Sequence, residues 1–332
     1  MQDIKQDESP DLTLLIPVLN EEKNVSILVD RINKSLENTT YSFEILFVDD
    51  GSTDKTFESL GRLAEEHPNL RVLRFTRNFG KAAAYSAGFA EARGNILITM
   101  DGDLQDDPEE IPVFVEKINE GFDLVSGWKY EGKGAFGRAV PSRIFNLVTS
   151  RFSGIHIHDF NCPFKAYRRS ILSDLAIYGE LHRFIPVLAH SRGYRVTEIK
   201  SRIFPRVHGT TKYGFERFAR GFLDLLTVMM ITRFSFRPLH LFGGTGLIAM
   251  MSGGLITGFL VIMHILYRLY ERGWVSIVIR DSWNIHSRPL LTIGLLLFVV
   301  GFQFLSLGLL AELLNLREGS RDAPYRIRER ID

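Results

Sequence analysis

A chain of 332 residues that is 45% apolar and 24% charged is long enough for a large domain and too apolar to be disordered throughout. Its 40 Lys+Arg nearly balance 39 Asp+Glu, for a net charge of +1, which excludes a protein built mainly to coat nucleic acid. The single cysteine, Cys162, excludes a disulfide framework and a cysteine-based zinc cluster.

Taken in chain order, short apolar runs alternate with helical patterns. Strands are predicted at Leu12–Val18, 43–48, 72–75, 96–100, 124–127, 164–167 and 196–204, and helices at 22–36, 55–66, 82–92 and 108–119. Strands separated by helices of this length read as βαβ units on a mainly parallel, Rossmann-like α/β sheet. The segment 216–234 carries Phe218, Phe222, Leu225, Leu226, Met229 and Met230 at helical spacing, as an interfacial amphipathic helix would. The stretches 238–267 and 289–311 contain no Asp, Glu, Lys or Arg. Each exceeds the roughly 20 apolar residues that cross a bilayer core. The expected division is a cytoplasmic α/β domain over 1–212, a juxtamembrane helix over 213–237, two transmembrane helices within 238–315 joined by a loop at 268–288, and a basic tail over 316–332. Glycines 243, 244, 253, 254 and 258 in the first span are expected to permit close helix packing. The polar N-terminus is no signal peptide, so the large domain is expected to stay where it was made. Nine arginines flank the spans on the sides of both termini (217, 220, 233, 237, 317, 321, 326, 328 and 330), against four (268, 272, 280 and 288) around the connecting loop. The positive-inside rule puts both termini and the large domain in the cytoplasm.

Ligands of such sheets bind at the carboxyl ends of the strands. Three predicted strands end there in polar clusters: Asn20-Glu21, Asp49-Asp50-Gly51-Ser52-Thr53-Asp54 and Asp101-Gly102-Asp103. Ser52, Thr53 and Asp54 also stand where a helix cap belongs. Two carboxylates around a small residue can hold Mg²⁺ or Mn²⁺, which completes its shell with phosphate oxygens and water. Such a site suits a diphosphate leaving group. There is no Walker A sequence and no Gly-x-Gly-x-x-Gly fingerprint, which counts against a P-loop kinase or a standard dinucleotide enzyme.

The runs 16–24, 48–56, Arg77-Asn78-Phe79-Gly80-Lys81 and 100–105 resemble, in order, the motifs of family 2 glycosyltransferases. The resemblance implies a GT-A fold, a nucleotide-sugar donor and inversion at the anomeric carbon. It also implies that Pro17, Asn20, Glu21 and Lys81 line the donor pocket, that Asp50 contacts the uracil and ribose region, and that Asp101 faces the ribose. Asp103 would ligate the metal with Asp101, and Gln105 would help to orient the site.

Two spans after the domain resemble bacterial polyprenyl-phosphate glycosyltransferases, and the soluble part is similar to dolichol-phosphate mannose synthase. Ser142-Arg143-x-x-Asn146, 159–165 and 206–213 match stretches of that group, which more often has Gly where Pro163 stands. The resemblance implies transfer of a hexose, glucose from UDP-glucose foremost, to undecaprenyl or another polyprenyl phosphate at the cytoplasmic face of a bacterial inner membrane. It also implies a homo-oligomer of up to four chains. Mannose, an amino sugar or an aminoarabinose derivative are alternative sugars, and a non-catalytic membrane scaffold is the alternative from another class. An anionic acceptor phosphate needs no strong base but must be held beside an anionic donor. Arg138, Ser142, Arg143, Arg206 and Lys212 are the expected phosphate contacts, with Arg206 and Asp159 at the reacting centre and Asp159 orienting the acceptor.

Overall fold

A computed structural model of the chain describes residues 9–129, 146, 149–151, 153–175, 181–204, 230, 238–273 and 289–318. The predicted amphipathic helix at 216–234 lies outside the described residues, apart from Met230. The chain divides into two units, residues 1–232 and 233–332.

In the first unit, β1 (Leu12–Val18), β2 (Phe43–Asp49), β3 (Leu70–Arg74), β4 (Ile96–Thr99), β5 (Leu124–Lys129), β6 (Lys165–Arg168) and β7 (Val196–Ser201) form one sheet in the order β3-β2-β1-β4-β6-β5-β7. The pairs β3–β2, β2–β1, β1–β4 and β5–β7 are parallel, whereas β6 runs antiparallel to both of its neighbours, β4 and β5. The sheet is therefore mixed. A run of apolar residues specifies a buried strand but not its direction. The near-continuous burial of β1 follows from its central place with both faces covered.

Helices α1 (Val25–Leu36), α2 (Thr56–Glu66) and α4 (Ile111–Asn119) pack on one face of the sheet. Helices α3 (Lys81–Glu91) and α6 (Ile185–Ser191), with the short α5 (Arg169–Leu172), cover the other. Helix α3 lies so close to β1 that a side chain at Gly88 would run into Leu15. Helix α1 starts three residues later than its apolar spacing predicts, because residues 20–24 hold the neighbouring loop. Asn20 adopts φ 59°, its N–H donates to Ser52 Oγ at 2.9 Å, and its side-chain oxygen accepts from Thr53 N at 2.8 Å.

The second unit contains α7 (Pro238–Glu271) and α8 (Pro289–Glu318), both long and apolar enough to cross a membrane. They pack antiparallel and nearly backbone to backbone. A Cβ on Gly246 would lie 2.7 Å from the Gly301 carbonyl, and one on Gly253 would lie 2.5 Å from that of Gly294. Of the glycines noted in the sequence, 243 and 253 face the partner helix, whereas 244 and 258 have open space around them. Small residues take this role because apolar burial does not drive helix association in lipid, leaving close packing to do so. Gly301→Leu is expected to separate the two helices. The helix pair should then lose about 1–3 kcal/mol, read as a lower Tm of the full chain in lipid nanodiscs, since packed interiors do not absorb added side chains.

Candidate functional site

Because β2, β1 and β4 are adjacent and parallel, their carboxyl ends bring all three polar clusters to one edge of the sheet. Asp50 is buried, and its N–H donates to Val18 O at 2.9 Å, which extends the β1–β2 ladder by one step. Its carboxylate accepts from Phe79 N at 2.7 Å and from Gly80 N at 3.0 Å, so it holds the Arg77–Lys81 turn. Asp49 is also buried and accepts from Ser52 N at 2.9 Å, with the Arg74 guanidinium 3.5 Å away. Gly51 makes this crossing possible. Its φ is +74°, and a Cβ there would stand 2.5 Å from Arg77 C and 2.7 Å from Asn78 N.

Asp54 does the capping anticipated for this cluster, accepting from Thr56 N at 3.0 Å and Thr56 Oγ1 at 2.5 Å. Burial pushes its carboxyl upward, but the Thr56 and Glu22 hydrogen bonds outweigh burial and leave its pKa below the ordinary value. Thr56 Oγ1 in turn accepts from Glu21 N at 2.9 Å, and Glu21 Oε2 accepts from Asn24 Nδ2 at 2.5 Å. The side chains of Asn20 and Glu21 are thus already engaged in shaping the edge. Pro17 lies within β1, opposite Val48, and is partly exposed.

Asp101-Gly102-Asp103 continues from β4. A Cβ on Gly102 would lie 2.8 Å from Val18 Cγ1 and 3.7 Å from both Pro17 O and Glu21 Cγ, so the acidic turn packs directly on the end of β1. Asp101 is ion-paired with Lys81 from the first turn of α3. Asp103 is buried and accepts from Gln105 N at 3.2 Å, across a left-handed Leu104 at φ 64°. Gln105 is tied to Phe204, its carbonyl accepting from Phe204 N at 2.9 Å and its Nε2 reaching Phe204 O at 3.5 Å. Asp106 and Asp107 are buried below this turn. Asp159, in the loop that leads into β6, is partly buried and accepts from Asn161 N at 3.0 Å. Arg138, Ser142, Arg143, Arg206 and Lys212 lie outside the described residues.

The carboxylates at 101 and 103 suit a hard divalent cation. Among the described residues no group of three or more His, Cys, Asp and Glu could hold a metal ion.

Three polar residues in this region, Tyr85 and Lys165 buried and His182 partly buried, carry no role in the sequence reading. Tyr85, on α3, sits beside Thr99. Burial first, then Asp101 and Asp106, hold its phenol far above the ordinary value. His182 packs edge-on to Tyr85 with ring centroids 6.0 Å apart. Burial, followed by Lys81, Arg183 and Lys165, lowers its pKa to about 3, against the opposing pull of Asp101. Lys165 begins β6 and is 3% exposed. A charge at the head of an apolar strand was the available signal for Lys165, whereas nothing local marks Tyr85 or His182.

His182 is expected to make the fold acid-sensitive. Between its native pKa of about 3 and an unfolded value of about 6.5, the unfolded chain binds the extra proton. This stability is therefore complete above pH 6.5 and is lost as the pH falls through that window. Inside the window the slope should approach about 1.4 kcal/mol per pH unit. His182→Gln is expected to flatten the Tm profile between pH 6.5 and 5, which a thermal-shift series would reveal.

The model of the family described as Glycosyl transferase family 2 matches residues 13–176. The dodecaprenyl-phosphate galacturonate synthase of Rhizobium johnstonii is 38% identical over 312 residues, covering 92% of this chain and 88% of that protein. The undecaprenyl-phosphate 4-deoxy-4-formamido-L-arabinose transferase of Pseudomonas aeruginosa is 35% identical, covering 92% and 85%. Among solved structures, glucosyl-3-phosphoglycerate synthase from Mycobacterium tuberculosis, in complex with Mn²⁺, UDP and phosphoglyceric acid, superposes with a TM-score of 0.52 at 17% identity, over 68% of this chain and 79% of that one. That likeness bears on the fold alone. With its motifs in order on a mixed GT-A-like sheet and its relatives spanning nearly the whole length, this chain belongs to glycosyl transferase family 2, among the polyprenyl-phosphate sugar transferases.

Proposed function

We propose that this enzyme transfers a sugar, with inversion, from a UDP-linked donor to a polyprenyl phosphate at the cytoplasmic face of a bacterial inner membrane. The observation that carries the reading is the convergence of Asp50, the Lys81–Asp101 pair and Asp103 at one sheet edge. The carboxylates of a bare turn would be solvated, whereas Asp50 and Asp103 are buried and held by backbone amides. The names of the relatives favour a modified sugar over plain glucose. A galacturonosyl donor comes first, a 4-formamidoarabinosyl donor second and glucose third.

In this reading Asp103, with Asp101, would hold Mg²⁺ or Mn²⁺, which neutralises charge on the departing diphosphate. Asp50 shapes the nucleotide side by fixing the 77–81 turn, and Pro17 and Glu21 stand along the same edge. Lys81 positions Asp101 and adds positive charge near the donor phosphates. Asp159 orients the acceptor. Its phosphate oxygen is already anionic and attacks without a strong base. Arg138, Ser142, Arg143, Arg206 and Lys212 offset the repulsion between acceptor and donor.

The test uses the full chain in lipid nanodiscs with undecaprenyl phosphate and, in turn, labelled UDP-galacturonic acid, UDP-4-formamidoarabinose and UDP-glucose. Label should enter the organic phase with Mg²⁺ or Mn²⁺ and not with EDTA, and fastest from the uronic acid. Folded protein that neither transfers any of the three nor binds UDP would overturn the enzyme reading in favour of a membrane scaffold.

A further inference from the structure

Lys165 is almost fully buried, and the transfer chemistry above leaves it without a task. It stands opposite Thr99, so the head of β6 lies beside the end of β4 from which Asp101 follows two residues later. Its ammonium donates to the carbonyl of Cys162. The Thr99 hydroxyl donates to the next carbonyl, that of Pro163, at 2.6 Å. Two consecutive carbonyls of the 159–164 loop are therefore held, one from each strand. A third tie comes from β5, where Gly127 N donates to Phe164 O at 2.8 Å. A Cβ on Gly127 would stand 3.0 Å from Cys162 Sγ and 3.1 Å from Phe164 O, so the loop is seated tightly on that strand.

The charges match this arrangement. Burial lowers the pKa of Lys165 and Lys81 adds to that, whereas Cys162, Asp159 and Asp101 pull the other way. The ammonium thus lies within electrostatic reach of one carboxylate on each side of the proposed reaction. An apolar residue of similar length would fill the space but would leave the Cys162 carbonyl without its donor and the two carboxylates without the intervening charge.

We propose that Lys165 is a positioning residue of the transfer site: by holding the Cys162 carbonyl it fixes the Asp159 loop against the end of β4, keeping the acceptor side in register with Asp101. The inference rests on the reading above, in which Asp159 serves the acceptor.

The experiment compares wild type, Lys165→Met, Lys165→Arg, Asp159→Asn and the Lys165→Met/Asp159→Asn double variant, as full chains in nanodiscs. In Lys165→Met, amide exchange at Asn161, Cys162 and Phe164 should quicken at least about tenfold while the β1 and β2 amides keep their protection. With the sugar donor that wild type uses, kcat should fall about 100-fold, UDP affinity with Mg²⁺ should stay within about threefold, and Lys165→Arg should recover about tenfold of the loss. On the Asp159→Asn background, Lys165→Met should cost less than about threefold more, because the two changes act through one element.

Unchanged loop exchange in Lys165→Met, or a kcat within about threefold of wild type, would overturn the inference. So would parallel loss of UDP affinity and β1–β2 protection, which marks a merely structural lysine. Wild-type kcat in Asp159→Asn would overturn it together with the role of Asp159, leaving the donor side intact. If wild type turns over no UDP-sugar, the functional reading fails, and loop exchange still decides whether Lys165 holds the loop.

Discussion

Asp103→Asn is expected to lower sugar transfer at least about 1,000-fold while shifting Tm little, because the change keeps the shape of the side chain and removes its charge. Asp103 is buried and sits on a turn that the left-handed Leu104 and the Gln105 amide hold in place. Asparagine can still accept from that amide, so the turn should survive. What it cannot supply is an anionic oxygen for a hard cation. UDP binding should consequently lose its dependence on Mn²⁺: in wild type, EDTA should weaken UDP at least about tenfold, and in the variant the two conditions should agree. Transfer rates within about tenfold of wild type would remove Asp103 from the metal-binding role. Asp101→Asn is a weaker test, since Asp101 also pairs with Lys81 and its loss frees that ammonium as well.

Gly51→Val should damage fold and site together. The added carbons would meet Arg77 and Asn78 backbone atoms, and a β-branched residue is strained at φ +74°. The 77–80 turn must then move, and with it the two amides that satisfy Asp50. A buried carboxylate deprived of its donors is costly, and combined with the strain we expect a loss of about 3 kcal/mol in stability. The start of α3 moves with the turn, and Lys81 is its first residue. UDP affinity should therefore fall at least about tenfold in whatever protein remains folded. Thermal unfolding and UDP titration measure the two effects separately. A variant with wild-type Tm and UDP affinity would show that the turn can relax away from Gly51 without disturbing Asp50.

The comparison of Asp50 with Asp54 shows how one motif divides its labour. Both belong to the same cluster, and sequence reading gave binding to the first and capping to the last. Asp54 does cap, through Thr56. Asp50 spends its carboxylate on the amides of residues 79 and 80, so it acts on the nucleotide side by fixing a turn. Asn20 likewise engages its side-chain oxygen with the Thr53 amide. Residues that a motif marks as binding are here partly the scaffold of the binding edge.

The sequence by itself determined the α/β alternation, the near-exact span of β1 and two helices able to cross a membrane, because burial and bilayer thickness both act on runs of local composition. It also placed polar clusters after three strands, and parallel pairing of neighbours was enough to bring them to one edge. The tertiary structure decided what local composition cannot encode. The direction of β6 depends on which strand edge is available to it, and it is this reversal that sets Lys165 opposite Thr99. The approach of His182 to Tyr85 joins elements almost a hundred residues apart in the chain. Which glycines of α7 face α8 was likewise settled by backbone-to-backbone fit, since in a lipid environment the hydrophobic pattern is the same on every side of the helix.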